Sequence, residues 1–109
     1  MANTFKLKTK ANVGVSTVGI YTAPASTTTV VIGITLSNTS ASGVNVGVGI
    51  TRAGTTEDVK LLKNAPIPQG SSLEFMAGNK VVLEETDTVT VDSDTNNSVD
   101  AALTIMEIT

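Results

Sequence analysis

The sequence predicts an all-β domain, an antiparallel β-sandwich of jelly-roll or Ig-like type with about eight or nine short strands. Three observations predict this class. Apolar residues alternate with Thr, Asn, Gly or charged residues, which is the period of a strand with one buried face. Turn residues separate these segments at intervals of about eight to twelve residues. No segment keeps a helical period over three turns.

Length and composition narrow the functional classes. The chain has 109 residues, the size of one domain, and it contains no Cys, His or Trp. Disulfides, the usual transition-metal ligand sets and the Ser-His and Cys-His nucleophile pairs therefore cannot be built from these residues. We expect a non-enzymatic protein without a metal or another cofactor.

The charge content suggests which partners to expect. A net charge of −3 disfavours a nucleic-acid surface, which needs clustered Lys and Arg. Charged residues make up 16% of the chain, whereas soluble domains average about 25%. Either the outer faces of the sandwich are rich in Ser and Thr, or neighbouring subunits cover them, and we favour the second interpretation. No export signal or membrane-length apolar run is present, which predicts synthesis in the cytoplasm and no membrane partner.

The first predicted strand has two different faces. Phe5 and Leu7 form an apolar face, and Lys6, Lys8 and Lys10 form a basic one. The lysines could simply keep a solvated edge strand from pairing with another sheet. Alternatively, residues 3–10 could form an arm that docks on an acidic partner, which makes the basic residues and Phe5 candidate subunit contacts.

The most apolar part of the chain lies between residues 28 and 50. Segments 30–36 and 44–50 both alternate, and a small polar loop joins them. We therefore predict that they form an antiparallel pair at the centre of the domain. Gly47 and Gly49 lie on one face, which indicates that a second sheet or a neighbouring subunit approaches the backbone closely.

The remaining segments predict shorter strands separated by turns. The last one, from Val99 to Thr109, loses its alternation near Met106 and Glu107, which indicates a bulge or an exposed end. A tight turn is predicted at 77–79. The other predicted strands are 18–21, 57–63, 73–75, 80–83 and 88–91.

A proline-rich segment follows the fifth predicted strand. Pro66, Ile67 and Pro68 lie within residues 64–72, which we expect to interrupt regular structure. Ile67 is a large apolar residue in a predicted surface loop. It either closes the end of the sandwich or packs on a neighbouring subunit, so all three residues are candidate subunit contacts.

Two acidic segments resemble functional sites only weakly. Residues 92–97 begin like a calcium loop, but Asn97 replaces its glycine and Leu103 its final glutamate, so an ordinary Asx-rich turn is favoured over an ion site. Glu84, Glu85 and Asp87 are interpreted as a solvated turn rather than an acid–base group.

Four stretches together resemble a known group of proteins. They are Tyr-Thr-Ala-Pro-Ala at 21–25, Val-Val-Ile-Gly-Ile-Thr-Leu-Ser-Asn-Thr at 30–39, the segment 61–73, and Lys-Val-Val-Leu-Glu-Glu-Thr-Asp-Thr-Val at 80–89. With this order, the chain resembles small β-rich virion structural proteins of tailed bacteriophages. The shared motifs are strands and turns, so the resemblance implies a structural role and no active site.

The resemblance implies a location in the virion, after assembly in the host cytoplasm, and other virion subunits as partners. The leading expectation is a capsid decoration or cement protein that contacts the major capsid protein, as a homo-oligomer such as a trimer. The alternative is a tail, neck or fibre-associated component. A carbohydrate-binding attachment module is a third possibility, disfavoured because the chain has three aromatic residues in total.

Overall fold

The protein is an all-β sandwich of nine strands in its computed structural model, which describes residues 3–55, 57–75 and 80–109. The turn predicted at 77–79 lies outside the described residues. The strands are β1 Asn3–Val13, β2 Val18–Thr22, β3 Thr28–Asn38, β4 Val44–Arg52, β5 Glu57–Ile67, β6 Ser72–Phe75, β7 Val81–Leu83, β8 Thr88–Ser93 and β9 Val99–Ile108.

The strands form two antiparallel sheets. Sheet A has the order β1-β9-β3-β6, with β7 also paired to β3, and sheet B has the order β2-β8-β4-β5. β7 pairs with Thr29–Val31 and β6 with Ile34–Ser37, so the two strands share one position beside β3. With β6 and β7 counted as one position, this is the strand order of a jelly roll. The predicted class is confirmed, in its jelly-roll form.

The predicted pairing of the two most apolar segments is wrong. β3 lies in sheet A beside β9, β6 and β7, whereas β4 lies in sheet B between β5 and β8. Their connection crosses from one sheet to the other. Two strands that face each other across a core alternate in the same way as two neighbours in one sheet, so the sequence pattern does not distinguish these arrangements.

The core lies between the inner faces of the two sheets. Full burial of each such aliphatic side chain contributes about 1.5–3 kcal/mol relative to exposure, so this interior provides most of the stabilisation. Sheet A and sheet B contribute alternate residues of their central strands, including Val31, Ile34, Leu36, Leu103 and Ile105 from sheet A and Val44, Val46, Val48, Val89 and Val91 from sheet B.

The alternation of β9 does not break where the sequence suggested. Residues 99, 101, 103, 105 and 107 are all buried, and the pairing with β1 passes through Met106 and Glu107 without a shift. The irregularity lies in β3 instead, between Val31 and Gly33. The expected bulge or exposed end is therefore wrong, because Glu107 occupies an inner position despite its charge.

β5 continues four residues further than predicted, to Ile67, and includes Pro66 opposite Asn45. β5 is an edge strand, where the missing N–H of proline does not interrupt a sheet. Asn64 adopts a φ of 54° on the way, and regular structure ends only after Ile67.

The close approach predicted at Gly47 and Gly49 arises inside sheet B. A Cβ on Gly47 would lie 2.6 Å from the Asp92 carboxylate, and one on Gly49 would lie 2.8 Å from the Val59 carbonyl oxygen. Neighbouring strands of the same sheet, and not a second sheet or another subunit, therefore require these glycines.

Candidate subunit interface

β1 turns its lysines towards the inner side of sheet A and its apolar side chains towards the outer side. β1 is an edge strand of sheet A and pairs with β9. Lys6 is opposite Ile105 and Lys8 is opposite Leu103, both fully buried, so the lysines lie on the inner side at the rim of the sandwich. Charges that point inward on an edge strand oppose pairing with another sheet.

Phe5 and Leu7 therefore lie on the outer side of sheet A. Phe5 is 68% exposed and Leu7 is 64% exposed. A side chain of this size gains about 1.5–3 kcal/mol when it leaves water, so this placement favours contact with another surface.

Phe5 begins an apolar row that crosses the whole sheet. It is opposite Met106, Met106 is opposite Val30, and Val30 is opposite Val82. Residues directly opposite each other share a face, and Val82 is 60% exposed. We call this set of four residues the apolar row. It contributes one uncharged side chain from each strand position of sheet A.

The apolar row has further apolar neighbours on the same face. Leu7, Ile32 and Ile108 lie next to it, and the last two are half-buried. In the described strands of sheet A, the charged residues of the outer face are Glu74 and Asp100, both towards the opposite end of β3. An exposed, contiguous apolar patch of this kind typically marks an interaction surface.

The outer face of sheet B has a different character. It carries Gly47, Gly49 and Thr90, and the Lys60 ammonium lies 3.6 Å from the Asp92 carboxylate. Thr17 donates a hydrogen bond to the same carboxylate. Gly47, Gly49 and Thr90 are themselves buried. The side chains of Lys60 and Asp92 cover the two glycines, so the surface of this face is polar and charged. The apolar outer face is thus specific to sheet A.

A buried polar network attaches β1 to the body of the sandwich. The Lys6 ammonium lies 2.9 Å from Oε1 of Glu107, and Tyr21 donates a hydrogen bond to Oε2 over 2.6 Å. The phenol oxygen lies 2.8 Å from the Thr29 hydroxyl, which must donate because the phenol proton is already used. This network joins β1, β2, β3 and β9.

The network shifts the acidities of its two acidic members in opposite directions. Burial and then the hydrogen bond to Glu107 raise the pKa of Tyr21 to about 12. The hydrogen bonds from Tyr21 and Lys6 lower the pKa of the Glu107 carboxyl below its ordinary value, although burial opposes this. At neutral pH the site therefore holds a neutral phenol and a charged carboxylate paired with a lysine.

The proline-framed segment divides between the core and the surface. Ile67 is 1% exposed and belongs to the core, so its side chain closes the sandwich and is not a surface contact. Pro66 and Pro68 are exposed. The Asn38 side chain holds this segment by donating hydrogen bonds to the carbonyl oxygens of Ile67 and Ser42.

The structure thus separates the seven predicted contact residues. Phe5 belongs to the outer face of sheet A, whereas the three lysines lie at its inner rim and the two prolines on the edge of sheet B. The prediction of Ile67 as a subunit contact is wrong. β5 continues to Ile67, and Ile67 lies with Ala65 on the inner face of this strand. No single surface collects the remaining six.

The acidic turn at 84–87 is held by internal contacts. Arg52 pairs with Glu84 and, over 3.3 Å, with the buried Asp87, and this pairing raises the pKa of the guanidinium. Asp87 also accepts a hydrogen bond from the Glu84 amide, and Glu85 accepts one from the Ser26 amide. These carboxylates stabilise the turn, although Asp87 is less solvated than predicted.

The 92–97 segment is held in a similar way. Asp94 accepts a hydrogen bond from the Asn45 amide, and the hydroxyls of Ser93 and Ser98 lie 2.6 Å apart. Among the described residues, no group of three or more acidic side chains is arranged to hold a metal ion. The carboxylates of this segment thus serve as turn contacts.

The three aromatic residues do not share an exposed face. Tyr21 is 7% exposed and faces inward, and Phe75 packs against the core opposite Ile34, whereas Phe5 faces outward. A surface that stacks sugar rings requires aromatic side chains side by side, so this arrangement disfavours the carbohydrate-binding alternative.

The apolar row and the buried network were both missed from the sequence. Two signals for the row were present in the sequence. Met106 is an apolar residue at an outer position of β9, between the inner positions 105 and 107, and Phe5 and Leu7 alternate with lysines in β1. The decisive information was the pairing of β1 with β9 and of β7 with β3, which local periodicity does not contain.

Comparisons with known proteins agree with the fold. The chain matches no protein-family model and no curated protein sequence. Its structure is similar to that of a protein from Bacillus endospore appendages, which form a novel family of disulfide-linked pili, with a TM-score of 0.57. The match covers 99% of this chain and 87% of that chain at 16% sequence identity. In the described part of the chain, no helix is long and apolar enough to span a membrane.

Proposed function

We propose that this protein is a non-enzymatic structural subunit of a tailed-bacteriophage virion, and that it decorates and stabilises the capsid. The observation that carries the proposal is the apolar row on the outer face of sheet A, with Phe5 and Val82 more than half exposed. The resemblance of the sequence to phage virion proteins supports the same role. The protein acts after assembly in the host cytoplasm.

A decoration protein of this kind works by adding contact area to an assembled shell. Subunits that bind across capsomer junctions bind the closed shell and not its separated parts, so mass action favours the assembled state. The rigid jelly roll suits this task, because little conformational entropy is lost when a preformed face docks. The outer face of sheet A supplies the apolar contact between the subunits that form this added layer.

Location within purified particles tests the proposal. Immunogold labelling or particle imaging should place the protein over the head, and quantitative mass spectrometry should give a copy number commensurate with the major capsid protein. Absence from the particle would refute a virion role altogether.

A tail, neck or fibre-associated subunit is the second candidate, and the fold similarity favours it. The structurally similar protein comes from Bacillus endospore appendages described as pili, which supports a fold suited to filamentous assemblies. Label at the tail, with a copy number far below that of the capsid protein, would support this candidate over decoration.

A further inference from the structure

We infer that the outer face of sheet A binds a second copy of this chain around a two-fold axis parallel to the strands. The axis passes between β9 and β3, so Phe5 of one copy faces Val82 of the other, and Met106 faces Val30. This inference rests on the proposed function as an assembly subunit, and it names the first partner of the apolar face.

The composition of the face selects a second copy as the occupant. The apolar row is uncharged and crosses four strand positions, with large residues on one half and small ones on the other. A strand-parallel two-fold axis reverses the row, so Phe5 meets valine and Met106 meets valine. Facing surfaces pack densely when large side chains meet small ones, and a two-fold interface requires a self-complementary patch.

The two acidic residues of this face also fit the arrangement. Glu74 lies in one cross-strand row with Thr35, Ala102 and Thr9, and Asp100 lies opposite Ser37. The same rotation brings Glu74 over Thr9 of the second copy and Asp100 over its Ser37. Each carboxylate thus meets a hydroxyl rather than another carboxylate, which avoids the repulsion between like charges.

The face is large enough for a specific dimer. With strands spaced about 4.8 Å apart and rising about 3.3 Å per residue, three strands of about ten residues and the seven residues of β6 and β7 have a footprint of about 600 Å². Accessible area exceeds this flat projection, and standard interfaces bury about 800 Å² per partner. Sheets packed face to face align within about 30°, which a strand-parallel axis permits.

Site-directed cross-linking tests the geometry. The chain has no cysteine, so Phe5→Cys and Val82→Cys each introduce a single thiol. Packed sheets lie about 10 Å apart, beyond the reach of a disulfide, so a short bis-maleimide is the probe. The two variants mixed together should cross-link to each other far faster than either does to itself. Preferential cross-linking within one variant, or none in the mixture, would overturn the inference.

Sedimentation equilibrium of the purified wild-type chain tests the association itself. We expect a dimer that Phe5→Lys weakens by about a hundredfold, as for an interface hot spot. Val15→Lys is the matched control, since Val15 is 58% exposed but lies outside the strands, and it should leave the dimer unchanged. A wild-type chain that stays monomeric at millimolar concentration would assign the face to another partner and overturn the inference. Absence from particles with an intact dimer would instead refute only the proposed function.

Discussion

The phenol of Tyr21 donates a hydrogen bond to the carboxylate of Glu107 over 2.6 Å, and both side chains are buried although they are 86 residues apart. This contact lies where β2 meets the end of β9, and Lys6 completes it from β1. The edge strand that carries Phe5 is thereby tied to the core through a charged residue. Stability of the sandwich and presentation of its apolar outer face are consequently linked.

Replacement of Tyr21 by Phe should destabilise the fold. The change leaves the Thr29 hydroxyl and one oxygen of Glu107 without their partner, and such a loss costs about 1–3 kcal/mol. Urea denaturation followed by circular dichroism measures the effect. Thr22→Val is the control, because it removes a hydroxyl pair with Thr88 at the surface and should change stability by less than about 0.5 kcal/mol. Equal effects of the two variants would contradict the buried network.

The ionisation of Tyr21 should be visible directly. It is the single tyrosine, and the chain lacks tryptophan, so absorbance near 295 nm reports on this phenol alone. The folded protein should titrate near the raised pKa of about 12, and the urea-unfolded chain near 10.0. Because the folded pKa is the higher one, the stability that depends on this phenol is complete below pH 10 and is lost as pH rises towards 12. Coincident titrations of the folded and unfolded chains would refute the network.

Glu107 should make the protein sensitive to acid. Its pKa is lowered by the hydrogen bonds from Tyr21 and Lys6, so its contribution to stability is present above the unfolded value, ordinarily 4.5, and is lost as pH falls through the folded value. We expect the stability difference between the wild type and Glu107→Gln to shrink below about pH 4.5. Thermal denaturation at a series of pH values measures it. Glu74→Gln, at an exposed position, should show no comparable change.

The same residues show how far the sequence determined the structure. Alternation predicted β2, β8 and β9 to within a few residues, because their inner faces are apolar and buried. The alternation misplaced Glu107, because a carboxylate within an apolar strand usually marks the solvent side. The partners of Glu107, Tyr21 and Lys6, lie far away in the sequence, so local alternation does not reveal them. It also gave no way to decide which face of β1 points inward, because that depends on pairing with β9.

Ile67 and Pro68 should respond very differently to truncation. Ile67→Ala removes a core side chain that is 1% exposed and should cost about 2–5 kcal/mol through the cavity it leaves. Pro68→Ala, at an exposed neighbouring position, should change stability by about 1 kcal/mol or less. Chemical denaturation compares the two. A stable Ile67→Ala variant that lost its binding to other subunits would restore Ile67 as a surface contact.

If the protein has the proposed role in a virion, polar substitution of Phe5 and Leu7 should abolish incorporation into particles while the fold is retained. Both side chains are more than half exposed on the outer face of sheet A, so Phe5→Ser with Leu7→Ser removes apolar contact area without a cavity. Deletion of residues 3–10 would be a poorer test, because it would remove most of β1, uncover β9 and leave Glu107 without Lys6. Complementation of a phage lacking the protein, followed by quantification of bound copies, measures incorporation. Val15→Ser, exposed but outside the strands, is the control that should bind normally, and full occupancy of the double variant would exclude this face from assembly.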